Sequence, residues 1–142
     1  MFLLDTNVIS ELRKTGSGRE NKNVVTWANS VSAGDMYLSV ITVLELEQGI
    51  LLLRRKDAVA AGYLRKWMDT HVLPAFNGRI IAVDVPVALK CAVLHVPNPC
   101  AERDCLIAAT ALVHGMTVVT RNVDDFKNTG ASIINPWQDV VD

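Results

Sequence analysis

The sequence has few cysteines, no long apolar run and no excess of charge of one sign, and each of these shortages argues against a class of protein. The three cysteines, Cys91, Cys100 and Cys105, form an odd number with neither a C-x-x-C pair nor zinc-finger spacing. We expect them to be reduced thiols in a cytoplasmic protein. The apolar stretches are shorter than the roughly 20 residues that span a bilayer, and no signal-peptide pattern opens the chain, so we expect no membrane association.

The charge is nearly balanced, with 14 basic and 15 acidic residues and a net charge of −1. No global field indicates a polyanionic partner, although local basic patches would still permit nucleic-acid binding. Half of the 142 residues are hydrophobic, which is typical of a compact protein with a slight apolar excess. We predict a single domain over residues 1–142, because this length can bury its own core and the sequence has no internal repeat or linker.

Short strand-like segments alternate with helical ones along the chain. The pattern predicts strands over 2–5, 36–40, 80–83, 117–120 and 131–134, and helices over 8–13, 24–31, 42–56, 58–72, 86–96 and 100–114. The polar, glycine-containing segment 14–23 is typical of an exposed loop. Strands separated by helices predict an α/β fold with a mainly parallel central sheet and helices on both faces.

Asp5 follows directly on the apolar run of the first predicted strand. Functional groups in parallel sheets collect beyond the carboxyl ends of the strands, so an acid at this position has a reason to be in a site. Alternatively, Asp5 only caps the next helix, because its carboxylate can accept backbone N–H groups there. The two interpretations are separated by whether other carboxylates reach the same edge.

Two further acids lie on predicted helices. Glu45 shares an apolar helical stripe, whereas Glu47 shares its stripe with Arg54 and has a partner on a solvated face. A carboxylate on an apolar row is rare unless it is paired or binds a metal, although Glu45 could also extend outward to solvent. Asp104 falls in the first turn of the helix over 100–114, where the helix dipole alone favours an acid. That helix has almost no polar face, so we expect it to be central.

Polar residues also follow the strand over 117–120. Asn122, Asp124 and Asp125 come after that strand, although Asn and Asp are also ordinary turn formers. If the strand order brings this edge close to Asp5, several carboxylates would share one crevice and repel one another unless a cation were present. Oxygen-only ligands indicate a hard ion, Mg²⁺ or Mn²⁺, which could orient a water as nucleophile on a phosphoryl group.

Other chemistry has little support in the sequence. His71, His95 and His114 are scattered without i, i+4 pairing between them, so we interpret them as structural or surface groups. No phosphate-cradling glycine motif and no nucleophile elbow are present. An aspartate-dependent phosphohydrolase with Asp5 as nucleophile is disfavoured, because Asn7 stands where that pattern has a second Asp.

Four motifs in register resemble a known family. They are Leu4-Asp5-Thr6-Asn7-Val8-Ile9-Ser10, Ser39-Val40-Ile41-Thr42-Val43-Leu44-Glu45-Leu46 with Gly49, Asp104 with Ile107-Ala108-Ala109-Thr110-Ala111, and Thr120-Arg121-Asn122-Val123 with Asp125-Phe126 and Asn135-Pro136-Trp137. Together they resemble PIN-domain proteins of the VapC toxin type, closest to the FitB-like branch. The resemblance runs from residue 1 to about residue 137. Each motif is weak alone, and the four in order are specific.

The resemblance implies a three-layer α/β/α fold, a Mg²⁺- or Mn²⁺-dependent endoribonuclease acting on single-stranded RNA, a cognate VapB-like antitoxin and a toxin homodimer. By position it implies that Asp5 and Asp104 are the principal metal ligands and that Glu45 binds metal or activates water. Thr6 would hold metal-bound water or the Asp5 carboxylate. The family has Asp or Asn two residues after the Thr at position 120 and an acid before the Phe, which here are Asn122 and Asp125, with Asp124 as an additional candidate.

Two questions stay open at this point. One alternative is a catalytically inactive PIN-like module that acts through its antitoxin and, only through it, on operator DNA. The apolar residues all around the helix over 42–56, and those of the next helix, favour a dimer but could equally cover the domain's own core. Basic residues that could steer an RNA backbone are Arg13, Lys14, Arg19, Arg103 and Arg121.

Overall fold

A parallel sheet of five strands lies at the centre of the computed structural model, which describes residues 1–138. The strands are β1 Phe2–Leu4, β2 Met36–Ser39, β3 Ile80–Ile81, β4 Thr117–Val119 and β5 Ile133–Ile134. Their order in the sheet is β3-β2-β1-β4-β5, and every neighbouring pair is parallel. In register, Leu3 pairs with Tyr37 on one side and with Val118 on the other. The most apolar strand, β1, is therefore the central one.

Helices connect the strands. They are α1 Thr6–Leu12, α2 Lys22–Ser30, α3 Val40–Arg54, α4 Ala58–Trp67, α5 Leu73–Ala75, α6 Val85–Leu94, α7 Glu102–His114 and α8 Val123–Phe126. A 3₁₀ turn over Ala33–Asp35 precedes β2, and a π-helical turn over Met68–Val72 joins α4 to α5. The side chains of Asn21, Ser39, Asp57 and Asp84 accept backbone N–H groups at the starts of α2, α3, α4 and α6.

Successive residues of each strand face opposite layers. Leu4 and Val119 pack with Val8, Val24 and Met68 in the layer that contains α1 to α4. On the other face, Leu3 and Val118 pack against Ile107, Ala108 and Phe126 of α7 and α8. The expected three-layer α/β/α arrangement is therefore confirmed. The end of the predicted single domain, residues 139–142, lies outside the described residues.

Several element boundaries differ from prediction for physical reasons. The first helix begins at Thr6 rather than Val8, because the Asp5 side chain accepts the Thr6 N–H. The segment after β4, which the turn-forming residues predicted as a loop, contains the short helix α8, whose Phe126 is fully buried. The long helix predicted over 58–72 changes to a π-helical turn at Met68.

The prediction of three reduced thiols is wrong for two of them. Cys100 and Cys105 are joined by a disulfide, with Cα atoms 6.1 Å apart, a separation that disulfides commonly span. Cys91 is free and buried. The sequence gives no warning of this pairing, because it depends on the way the chain turns into α7 between the two cysteines. Within residues 1–138, no helix is both long enough and apolar enough to cross a membrane.

The buried contact of α7 with the sheet is testable by substitution. We predict that Ile107→Ala lowers the free energy of unfolding by about 2–5 kcal/mol, because Ile107 is fully buried and the vacated space cannot collapse completely. Urea denaturation measures the change. Val59→Ala, at a side chain that is 72% exposed, should change it by no more than about 0.5 kcal/mol. Equal losses in the two variants would contradict this packing.

Candidate active site

A cavity of about 430 Å³ opens at the carboxyl ends of β1 and β4. It is lined by Asp5, Thr6, Asn7, Ser10, Glu11, Lys14, Glu45, Asp104, Arg121, Asn122 and Trp137. These residues come from five separate parts of the chain. The structure therefore brings together the polar residues that follow the two strands, as expected for the carboxyl edge of a parallel sheet.

Asp5 caps α1 and also lines the cavity, so the capping role does not exclude a place at the shared edge of the sheet. One carboxylate oxygen accepts the Thr6 backbone N–H at 2.8 Å, and the other accepts the Thr120 hydroxyl at 2.7 Å. The Asn7 amide donates to the second oxygen at 3.3 Å. Asp5 is only 5% exposed, and this burial raises its pKa despite the bonds to Thr120 and Thr6. Glu45 and Asp125 raise it further by repulsion.

Glu45 is directed inward from α3. The Thr6 hydroxyl donates to Glu45 Oε1 at 2.8 Å, and the Arg103 guanidinium lies 3.9 Å from Glu45 Oε2. Arg103 also donates to Gln48 at 2.7 Å, which places it between α7 and α3. Thr6 and Glu45 are thus linked across the cavity from two different elements.

Glu47 lies outside this arrangement, but its partner was predicted wrongly. The carboxylate forms a two-pronged ion pair with Arg65 of α4, in which Arg65 Nη1 lies 2.6 Å from Glu47 Oε1. Arg54, which shares its stripe on α3, was the expected partner. The packing of α4 against α3 supplies a closer guanidinium, and this contact cannot be read from the periodicity of one helix.

Asp104 lies in the first turn of the buried helix α7, at the cavity. The pKa of its carboxyl is raised to about 6, first by partial burial and then by repulsion from Asp5, Asp125 and Glu45. Four carboxylates from four segments therefore influence one another electrostatically. Carboxylates this close repel one another, so some of them bind protons unless a positive charge lies nearby.

The structure separates the three candidates for the fourth acidic position. The Asp124 side chain is 90% exposed and pairs with Lys127 at 3.5 Å, away from the cavity. The negative charge of Asp125 raises the pKa of both Asp5 and Asp104. Asn122 lines the cavity, and its backbone N–H donates to Thr120 Oγ1 at 3.0 Å. Asn122 is therefore the candidate that lines the cavity, whereas Asp125, which is exposed and does not line it, acts on Asp5 and Asp104 only through its charge.

Two residues of the site were not among the predicted candidates. Thr120 is fully buried and its hydroxyl holds the Asp5 carboxylate, while the Asn7 side chain bridges Asp5 and the Arg121 backbone N–H. Both follow a predicted strand closely, which is the same signal that pointed to Asp5. The roles of Thr120 and Asn7 depend on hydrogen bonds between separate segments, which the sequence pattern does not contain.

Only some of the basic residues proposed to steer an RNA backbone lie at the cavity. Lys14 and Arg121 line the cavity, and Arg103 lies beside Glu45. The Arg121 guanidinium lies 5.5 Å from the centre of the Trp137 ring, which also lines the cavity. Arg13 instead lies over Trp67, and Arg19 does not line the cavity.

The donor set of the cavity fits a hard divalent cation, because it consists of carboxylate, amide and hydroxyl oxygens without His or Cys. Its acids are not drawn into one tight ring. Among residues 1–138, the group of three possible ligand atoms that lie within 4.8 Å of one another is formed by Cys91, His95 and Cys105, elsewhere in the fold. A cation in the cavity would thus bind some carboxylates directly and others through water, as Mg²⁺ commonly does.

Comparison with known proteins gives a consistent result. The PIN domain family pattern matches residues 2–131. The chain is 39% identical to Toxin FitB of Neisseria gonorrhoeae over 98% of this chain and 100% of that protein, and 37% identical to VapC ribonuclease Y4jK of Sinorhizobium fredii over 97% and 99%. The solved structure of FitAB bound to an IR36 DNA fragment superposes with a TM-score of 0.87 at 39% identity, covering 97% of this chain and 96% of that one.

The raised pKa of Asp104 predicts how stability depends on pH. In the folded protein the Asp104 carboxyl keeps its proton up to about pH 6, whereas its ordinary pKa is 3.8. Without divalent metal, the contribution of this carboxyl to folding stability is therefore complete below pH 3.8 and is lost as the pH rises through 6. We predict that Asp104→Asn in EDTA unfolds at a higher temperature than the unsubstituted protein at pH 7.5, and that the difference disappears near pH 4.

Differential scanning fluorimetry over this pH range provides the measurement. Asp124→Asn is the matched control, because the Asp124 side chain is exposed and lies outside the cavity. A difference between Asp104→Asn and the unsubstituted protein that stays constant from pH 4 to 7.5, or an equal gain for Asp124→Asn, would argue against carboxylate repulsion in the cavity.

Proposed function

The chain belongs to the PIN-domain family, and from this membership and the carboxylates of the cavity we propose that it is a metal-dependent endoribonuclease and the toxin of a toxin–antitoxin pair. One observation carries the proposal. Carboxylates from four segments interact electrostatically at the carboxyl edge of the sheet, namely those of Asp5, Glu45, Asp104 and Asp125. The names of two relatives, a toxin and a ribonuclease, support the same assignment.

Asp5 and Asp104 are the proposed principal ligands for Mg²⁺ or Mn²⁺. When bound, such an ion supplies positive charge that stabilises a phosphoryl oxygen and makes a coordinated water more acidic. Burial and hydrogen bonds from Thr120 and Asn7 keep the Asp5 carboxylate in one orientation. Asp104 is fixed by its place in the first turn of a buried helix, and Asp125 adds charge beside both.

Glu45 is the proposed acceptor of the proton from the attacking water. Its Oε1 accepts the Thr6 hydroxyl, which leaves Oε2, beside Arg103, free to take a proton. Water then attacks the phosphorus in line, one P–O bond forms as the bond to the leaving ribose oxygen breaks, and the leaving oxygen gains a proton from solvent. Thr6 acts as the positioning residue for Glu45 in this scheme, and Asn122 forms part of the cavity wall.

Single-stranded RNA fits the rim of this cavity. Lys14 and Arg121 can pair with backbone phosphates, and the Trp137 ring offers a stacking surface for a base. The overall charge of −1 is compatible with such a substrate, because the positive charge needed is local.

The site residues can be tested by cleavage of a mixed tRNA and rRNA pool. We predict that purified protein with Mg²⁺ or Mn²⁺ cleaves RNA, that EDTA abolishes cleavage, and that Asp5→Asn, Glu45→Gln and Asp104→Asn each lower the rate by at least about 100-fold. Asp125→Asn should lower the rate more than Asn122→Ala, since Asp125 supplies charge to the cavity.

Asp124→Asn is the matched control for these variants and should cleave at the unsubstituted rate. Native gels and circular dichroism establish that each variant is folded. Cleavage that persists in EDTA or in folded Asp5→Asn protein would contradict the proposed chemistry. No cleavage by folded, metal-loaded protein free of partner would favour the inactive binding module instead.

The proposed protein partner is a VapB-like antitoxin that blocks the cavity, with DNA contacted only through it. The similarity to a structure of FitAB bound to a DNA fragment supports this arrangement. An inactive module that acts through the same complex is the weaker candidate, because Asp5, Glu45 and Asp104 all line one cavity.

A homodimer through α3 and α4 is also proposed. These adjacent helices carry large apolar side chains that are exposed in the single chain, namely Leu44, Leu51, Leu52, Val59 and Tyr63. Other apolar residues of the two helices, including Leu46 of α3 and Leu64 of α4, pack in the domain's own core. The remaining apolar surface is suited to contact a second copy.

Substitution of this surface tests the dimer. We predict that the double variant Leu52→Glu with Tyr63→Glu sediments as a monomer at concentrations where the unsubstituted protein is a dimer, because two charges would be buried without partners. Leu89→Glu is the control, since Leu89 is equally exposed but lies on α6. A monomer in the control and a dimer in the double variant would move the interface to α6.

A further inference from the structure

A second group of possible metal ligands lies where α6 and α7 pack together. The ligand atoms of Cys91, His95 and Cys105 all lie within 4.8 Å of one another. Zn–S and Zn–N bonds of about 2.3 and 2.0 Å place the ligands of a tetrahedral zinc site about 3.3–3.8 Å apart. Shifts of about 1 Å would therefore bring the three ligand atoms to distances at which all of them can bind one zinc ion.

Cys100 is the candidate for a fourth donor. Its sulfur is bonded to that of Cys105, although it is not one of the three ligand atoms that lie within 4.8 Å of one another. The Cys100 backbone N–H donates to His95 Nδ1 at 3.3 Å, which places the imidazole beside the segment that carries Cys100. Three cysteines and one histidine are a common donor set of structural zinc sites.

The local structure explains why these residues converge. Cys91 and His95 lie one turn apart at the end of α6, and Cys105 lies in the first turns of α7. The connection between them, over 96–101, folds back so that Cys100 returns to the His95 ring. A disulfide between Cys100 and Cys105 requires neither Cys91 nor His95, so it does not account for the presence of the other two.

The surroundings are those of a closed site rather than a reactive one. Cys91 and Cys105 are buried and pack with Val87 and Ala109, while Leu94 and Leu106 cover the group. An apolar shell limits the access of water and of competing ligands to a bound ion. No acid of the active cavity is among the three clustered ligands, so the two groups are chemically distinct.

We propose that, when the Cys100–Cys105 disulfide is reduced, Cys91, His95, Cys100 and Cys105 bind one Zn²⁺ that fastens α6 to α7. Reduction by a phosphine consumes one water: the phosphine becomes a phosphine oxide, the S–S bond breaks and each sulfur gains one hydrogen. Zinc then replaces the protons of the three thiols, which pass to solvent. The disulfide and the zinc site exclude each other, because both use the sulfurs of Cys100 and Cys105.

This site would hold the start of α7 beside the active cavity. Cys105 directly follows Asp104, so a metal cross-link there fixes the turn from which Asp104 projects. None of its ligands lines the active cavity, so zinc binding can be measured separately from the proposed ribonuclease activity.

Metal counting on the full-length chain tests the proposal. Protein reduced with tris(2-carboxyethyl)phosphine, incubated with Zn²⁺ and freed of excess metal is measured by native mass spectrometry, and Co²⁺ replaces Zn²⁺ for absorption spectroscopy. We predict one Zn²⁺ per chain, with thiolate-to-cobalt charge transfer and the visible bands of tetrahedral Co²⁺. His95→Asn and Cys100→Ser should each weaken zinc binding by more than the roughly 10- to 100-fold that loss of an outer hydrogen-bond partner costs.

The controls distinguish this site from the cavity and from nonspecific binding. His114→Gln, at the far end of α7, and Asp104→Asn should both keep one Zn²⁺ per chain. If Cys91→Ser does not fold, the cobalt spectrum of the unsubstituted protein still reports thiolate ligation. Reduced protein without zinc, zinc retained unchanged in both His95→Asn and Cys100→Ser, or zinc lost only in Asp104→Asn would overturn the proposal.

Discussion

The burial of Asp5 beside other carboxylates is the constraint on which the rest of the site depends. Asp5 is nearly inaccessible to water, and the pKa of Asp104 is raised first by its own partial burial and then by the charges of Asp5, Asp125 and Glu45. A fold does not gather such groups for stability, since each would be more easily charged in water. The parallel sheet brings them together because the carboxyl ends of β1 and β4 are adjacent. The apolar packing of the remaining structure has to offset the unfavourable charge.

The hydrogen bonds around Asp5 show how this arrangement is maintained. Thr120 donates to one carboxylate oxygen, the Thr6 backbone to the other, and the Thr6 hydroxyl extends the network to Glu45. The Thr120 hydroxyl and the Thr6 backbone N–H favour the ionised form of Asp5, which partly offsets the cost of its burial. Contacts within the protein therefore fix the orientations of the Asp5 and Glu45 carboxylates.

Much of the fold could be predicted from the sequence, because alternating short strands and helices leave few arrangements other than a parallel sheet with helices on both faces. Asp5 could be proposed because it follows a buried strand, and Glu45 because a carboxylate on an apolar row is unusual, whereas Asp104 depended on the family resemblance. The choice between Asp124 and Asp125 could not be made, since it depends on how α8 turns, and α8 was not predicted. The Glu47–Arg65 pair and the grouping of Cys91, His95 and Cys105 likewise depend on contacts between helices. Periodicity within a single helix contains no information on such contacts.

The most direct test of whether these carboxylates form a cation site is the shift in unfolding temperature that Mg²⁺ produces at pH 7.5. A ligand that binds only the folded protein raises its unfolding temperature as concentration increases. We predict that the unfolding temperature of the unsubstituted protein and of Asp124→Asn rises with Mg²⁺ until it saturates. We predict no rise for Asp5→Asn or Asp104→Asn. An equal rise in all four proteins would place the bound ion elsewhere and contradict the assignment of this cavity as the catalytic centre.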